Sequence, residues 1–135
     1  MKKAHLYYVL LLALQLFTPV ATAMTQNDAA NNIMHIAFAI KEGEFCERLG
    51  YPGEALLKRW KEEHGATLVT SLRAIEAYAE TTRTVTSEQA KAVAIGFYNR
   101  MENRFDTEMA PRLGKKSCAR FGESLRNHAS LLVKN

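Results

Sequence analysis

The sequence predicts an all-α fold: an antiparallel four-helix bundle with one disulfide joining the end of the first helix to the start of the last. Three observations lead there. Apolar residues recur at steps of three and four along nearly the whole chain after residue 27, the spacing that lines one face of an α-helix. The connections between these stretches are short, which leaves consecutive helices no room to run parallel. The only two cysteines, Cys46 and Cys118, then fall at the same end of an up-down-up-down arrangement.

The first 23 residues, MKKAHLYYVLLLALQLFTPVATA, stand apart from this pattern. Two lysines precede an apolar run from Leu6 to Phe17, followed by Pro19 and the small-residue triplet Ala21-Thr22-Ala23. That is the build of a secretory signal peptide cleaved after Ala23. The apolar run is shorter than the roughly 18 to 20 residues a membrane-spanning helix needs, and no later segment is apolar enough to span. No cysteine follows the cleavage site to carry a lipid. The expected location is periplasmic or secreted. The two-lysine start and the lack of an Asn-x-Ser/Thr acceptor favour a bacterial route. Residues 24–135 are then a single domain, long enough to bury its own core.

The first helix is expected over residues 28–49. Ile33, Ala37 and Ile40 form one apolar line and Met34, Phe38, Phe45 and Leu49 the adjoining one. Gly50 supplies the residue that most easily adopts a left-handed C-terminal cap, and Gly43 marks a place to bend. In the tight connection Tyr51-Pro52-Gly53, Pro52 is placed to open the second helix, where its missing N–H costs nothing. Leu57, Trp60, His64, Leu68, Leu72, Ile75 and Ala79 then make one apolar stripe, so this helix runs for roughly 30 residues or 45 Å. Gly65 is its weak point.

Thr81-Thr82-Arg83-Thr84 suits a helix interior poorly and ends the second helix. In Val85-Thr86-Ser87-Glu88-Gln89, Thr86 is a cap, Gln89 can reach back to complete a capping box, and Val85 can staple onto Ala90. The third helix carries Val93, Phe97, Met101, Phe105 and Met109 and stops before Pro111. Leu113-Gly114-Lys115-Lys116 connects to a fourth helix capped by Ser117, with Cys118, Phe121, Leu125, His128 and Leu132 on one face. The chain frays at Lys134 and Asn135.

An oxidising compartment leads two thiols at one end of a bundle to pair. Closing so long a loop stabilises a domain by about 4 kcal/mol in the chain-entropy model, a large share of the 5 to 15 kcal/mol typical of a whole domain. The rival readings lack ligands or partners. Only three histidines follow the signal, His35, His64 and His128, and no C-x-x-C or H-E-x-x-H occurs, so neither a metal site nor a cofactor is expected. A catalytic thiol would have to escape oxidation.

Charge is unevenly spread. Residues 24–82 carry six basic and nine acidic side chains, and residues 83–135 ten basic and five acidic. Two oppositely biased, solvated helix pairs explain this more simply than a nucleic-acid partner, which an exported protein seldom meets. Within the basic half, Arg112, Lys115, Lys116, Arg120 and Arg126 are concentrated around the start of the fourth helix, a candidate surface for an anion or a partner. Tyr51 and Trp60 are candidates for a cleft near the cysteine end, although Trp60 lies on the core stripe and is expected to pack across the bundle. His64 and His128 also lie on apolar stripes, as packed histidines do. Glu62-Glu63 and Glu42-Glu44-Glu47 read as solvated helix faces. Arg100 and Arg104 share one face of the third helix, a polar ridge. No nucleophile elbow, phosphate-cradling glycine loop or placed acid–base pair occurs, so an enzyme is not expected and no residue is assigned to catalysis.

The signal peptide, Cys46 at the end of the first helix, Pro52, Trp60 two turns later and Cys118 at the last helix together resemble small exported all-helical bacterial proteins with a single disulfide. Two better-understood groups share that general build: helical immunity proteins that neutralise peptidoglycan-cutting toxins in the periplasm, and small periplasmic acid-stress chaperones. The resemblance implies a non-enzymatic protein that contacts another exported or periplasmic protein, and it contributes no site residues. The surface to examine is Tyr51, Trp60, Lys115, Lys116 and Arg120. A chaperone, a small-ligand carrier and an enzyme are the alternative classes.

Overall fold

The computed structural model describes residues 23–134. The expected signal peptide, apart from Ala23, and Asn135 lie outside these residues. The described chain is all-helical, with five α-helices: α1 (Gln26–Arg48), α2 (Glu54–Arg83), α3 (Ser87–Arg104), α4 (Lys115–Cys118) and α5 (Phe121–Ser130). Among the described residues no helix is long and apolar enough to cross a membrane.

α1 begins where Thr25 Oγ1 accepts the Asp28 N–H at 3.1 Å and continues through Gly43 without a break. Gly43 serves close approach here, not bending. A Cβ at this position would stand 2.6 Å from Leu57 Cδ2 and 3.0 Å from Phe121 Cζ. The helix ends as expected at Gly50, with φ +82°. The Gly50 N–H donates to the Glu47 carbonyl and the Tyr51 N–H to the Cys46 carbonyl, the paired bonds of a Schellman cap.

Pro52 does not open α2. The helix starts at Glu54, and its first bond runs from the Leu57 N–H to the Gly53 carbonyl. Gly53 is buried under the Phe121 ring, 2.9 Å from where its Cβ would lie, and this contact accompanies a helix start two residues beyond the proline. The threonine run expected to end α2 is largely helical. Thr81 and Thr82 turn their hydroxyls back onto the carbonyls of Ala77 and Tyr78, and Thr84 closes the helix in the left-handed region, φ 52°.

The Thr86–Gln89 capping box opens α3 as expected. The α-helix then ends at Arg104. Phe105–Met109 form a wider π turn, in which the Ala110 N–H donates to the Phe105 carbonyl, and Ala110–Arg112 form a 3₁₀ turn around Pro111. Proline has no N–H to continue the α pattern, and the chain widens just ahead of it. The predicted fourth helix is two. Arg120 leaves helical geometry (φ −108°, ψ 20°), separating α4, which holds Cys118, from α5, which opens on Phe121. Ser117 sits inside α4, not at its cap: the Gly114 N–H donates to Ser117 Oγ, and that hydroxyl donates to the Gly114 carbonyl, each at 2.8 Å.

α1 and α2 form the central pair, and they run oppositely, with Gly43 against Leu57 and Asn32 against Ser71. One apolar cluster joins Ile36, Ala39, Leu57, Trp60, Phe121 and Leu125 of α1, α2 and α5. A second joins Ala29, Ile33, Ile75 and Ala94 of α1, α2 and α3, and Leu68 packs against both. α3 and α5 thus each pack on the α1–α2 pair. At the foot of the first cluster Asn32, fully buried, donates to the Val133 carbonyl and accepts the Val133 N–H, both at 2.8 Å. Among the described residues the C-terminal segment is thus held as far as Val133.

Candidate functional site

The cysteines are bonded to each other, 72 positions apart in sequence, and both are buried. The bridge fixes α4 against the end of α1. Beside it opens a cleft of about 580 Å³. Its wall is the stretch from Arg112 to Ser117 together with Arg120 and Glu123, and its floor is Glu42, Ser124 and Asn127. Three of the predicted residues, Lys115, Lys116 and Arg120, therefore meet in one place.

Their charges are not equivalent. Arg120 is forked onto Glu123, Nε to Oε2 at 2.9 Å and Nη2 to Oε1 at 2.8 Å. That pairing, through its hydrogen bonds first, holds the Glu123 carboxyl below its ordinary value and raises the guanidinium. Arg112, Lys115 and Lys116 make no ion pair among the described residues, so the rim keeps a net positive charge.

The floor corrects the sequence reading, which placed Glu42 on a solvated face. Glu42 is 6% exposed. Its Oε2 accepts the Ser124 hydroxyl at 2.6 Å and stands 3.7 Å from His128 Nε2. That second distance is within ion-pair range but too long for a hydrogen bond. Behind it, His128 Nδ1 and His35 Nδ1 lie 3.1 Å apart, a contact that takes one proton between the two nitrogens. Burial, and then the neighbouring His128, hold His35 below the ordinary histidine value. The signal for Glu42 was present in the helical spacing. It lies three residues after the buried Ala39 and four before Cys46, on the face that the bridge turns inward.

The arrangement does not activate Ser124 as a nucleophile through an imidazole, because its hydroxyl proton is directed at a carboxylate, a weak base. Among the described residues no group of three His, Cys, Asp or Glu side chains could hold a metal ion.

Tyr51 and Trp60 lie outside the cleft. Tyr51 is half-buried beside the bridge, in a separate hollow of about 200 Å³ with Pro52, Leu56 and Phe121. Trp60 is buried and donates its indole N–H to the Leu125 carbonyl at 2.9 Å, across the core as its stripe position implied. His64 packs at a tilt beside it, ring centroids 4.6 Å apart, and its Nδ1 has no partner among the described residues. Arg100 and Arg104 are both exposed, and Arg104 Nε donates to Glu108 at 2.9 Å.

No protein-family model, no curated protein and no solved structure matches this chain.

Proposed function

We propose that the protein is an exported, non-enzymatic binding module that captures an acidic segment of another exported protein in the cleft beside the Cys46–Cys118 bridge. The observation that carries this reading is the rim itself: Arg112, Lys115 and Lys116 converge on one open cleft without internal counter-ions among the described residues. Long, hydrated cations in that state favour association with an anionic surface and raise its rate. The disulfide supports residence in an oxidising compartment. The frame is an antiparallel bundle. Oppositely ordered contacts support it: Gly43 with Leu57 and Asn32 with Ser71 between α1 and α2, and Glu42 with Ser124 and His35 with His128 between α1 and α5. α4, which carries the two lysines, is held on that frame by the bridge. The backbone under this surface thereby has little conformational freedom left to lose on binding.

The test is charge reversal at Lys115 and Lys116 in tagged, oxidised protein cross-linked in periplasmic and secreted extracts. Lys115→Glu with Lys116→Glu should abolish capture of a stoichiometric partner. The melting temperature should stay within a degree or two, because both side chains are exposed. Capture by the wild type should also weaken as salt rises. Undiminished capture by the double variant removes this surface as the site.

A further inference from the structure

The cleft joins a positive rim to a buried negative floor, and this selects among acidic segments. Glu42 lines the cleft, yet it is nine-tenths buried. One of its oxygens takes the Ser124 hydroxyl; the other, Oε1, meets no hydrogen-bond donor among the described residues. Its charge at the cleft floor repels any simple anion drawn in by the lysines. A ligand that also places a cation on Glu42 turns that repulsion into attraction, because a charge-assisted bond in a partly dried site is stronger than one in water. His128 does not close that gap in this geometry, since its Nε2 stands 3.7 Å from the already occupied oxygen.

We infer that the cleft is specific for a dipolar peptide segment, in which carboxylates sit on Lys115, Lys116 and Arg112 while a lysine ammonium of the partner pairs with Glu42 at the floor. This rests on the proposed capture of an acidic segment and adds the group that tells one such segment from another. Glu42 is then the specificity-determining residue. A lysine suits the position better than an arginine or a backbone N–H, because a compact ammonium on a flexible stem can reach a recessed oxygen and brings the missing charge.

The probes are synthetic glutamate-rich peptides with capped ends and one internal lysine, stepped through successive positions, and their twins with that lysine acetylated, which removes the charge. Binding of each pair to the purified, oxidised protein is measured by calorimetry. For the best-placed lysine, the free form should bind at least about tenfold more tightly than its acetylated twin, a difference of about 1.4 kcal/mol. Glu42→Gln, which still accepts from Ser124, should erase that difference without weakening the acetylated peptide. Equal affinity of every twin pair for the wild-type protein overturns the inference, as does a preference that survives Glu42→Gln in folded protein. Binding of both twins that depends on Lys115 and Lys116 alone would leave the capture reading standing and remove this one. Failure of all the peptides to bind would remove both. The wild-type comparison decides the matter even if the variant does not fold.

Discussion

Single side chains inside the helix pair show what burial demands of a polar group. His64 is packed on Trp60 with Nδ1 unpartnered among the described residues, and an unmade bond on a buried polar atom costs about 1 to 3 kcal/mol. Burial, and then Lys134, lower the His64 pKa, against a smaller opposing effect of Glu63. The sign follows from linkage. Above the ordinary histidine value of about 6.5 the imidazole is neutral in both folded and unfolded chains. As the pH falls from there through the depressed folded value, the unfolded chain takes the proton first, and stability is lost. His64→Leu, close in volume, should be no less stable than wild type at pH 7. Its melting temperature should also decline less between pH 7 and pH 5. Thermal denaturation at a series of pH values checks this. Parallel slopes would show that His64 is not a source of the acid sensitivity, leaving His35, which is lowered as well. Asn32 is the contrasting case: wholly buried, with both ends of its amide used, it pins Val133 to α1.

At the scale of elements, ends were more legible than continuity. The Thr86–Gln89 box was visible as a spacing and is present as two reciprocal bonds: Gln89 N–H to Thr86 Oγ1 at 3.2 Å, and Thr86 N–H to Gln89 Oε1 at 2.9 Å. Thr86→Ala should therefore cost about 1 kcal/mol in urea denaturation, and Thr86→Ser should restore most of it. A serine variant as unstable as the alanine one would mean that the hydroxyl is not the stabilising group. The Gly50 cap was legible for the same reason, since a cap is a local preference of a few residues. The break between α4 and α5 was not. Nothing in Cys118-Ala119-Arg120-Phe121 forbids a helix, and the turn there follows from where Cys118 and Phe121 must go: one to Cys46, the other onto Gly43 and Gly53. Pro52 likewise met the rule for a first helical residue, but the start fell at Glu54, beside Gly53 under the Phe121 ring.

Across the whole molecule the bridge is a covalent tie between positions 72 residues apart. Replacing both cysteines with alanine should lower stability by about 4 kcal/mol on the chain-entropy account. Denaturant titration of the variant beside the oxidised protein measures it. A loss under about 1 kcal/mol would mean that the helix contacts alone hold α4 in place. The bridge also defines the cleft, because α4 brings its lysines to the wall while α1 supplies Glu42 to the floor.

Helical class, the two caps and the disulfide partners were determined by the sequence itself. Each rests on periodicity, on a motif a few residues long, or on there being only two cysteines to pair. The gathering of Lys115, Lys116 and Arg120 at one end was half legible, since they lie close together in the chain. That their cleft has a buried carboxylate for a floor, backed by His128 and His35, was decided only by tertiary structure. Those groups come from α1 and α5, and Glu42 and Ser124 lie 82 positions apart. Local patterns state which face of a helix turns inward. Which side chains meet there depends on how the helices pack, and this is where the Glu42 face of α1 came to lie under α5.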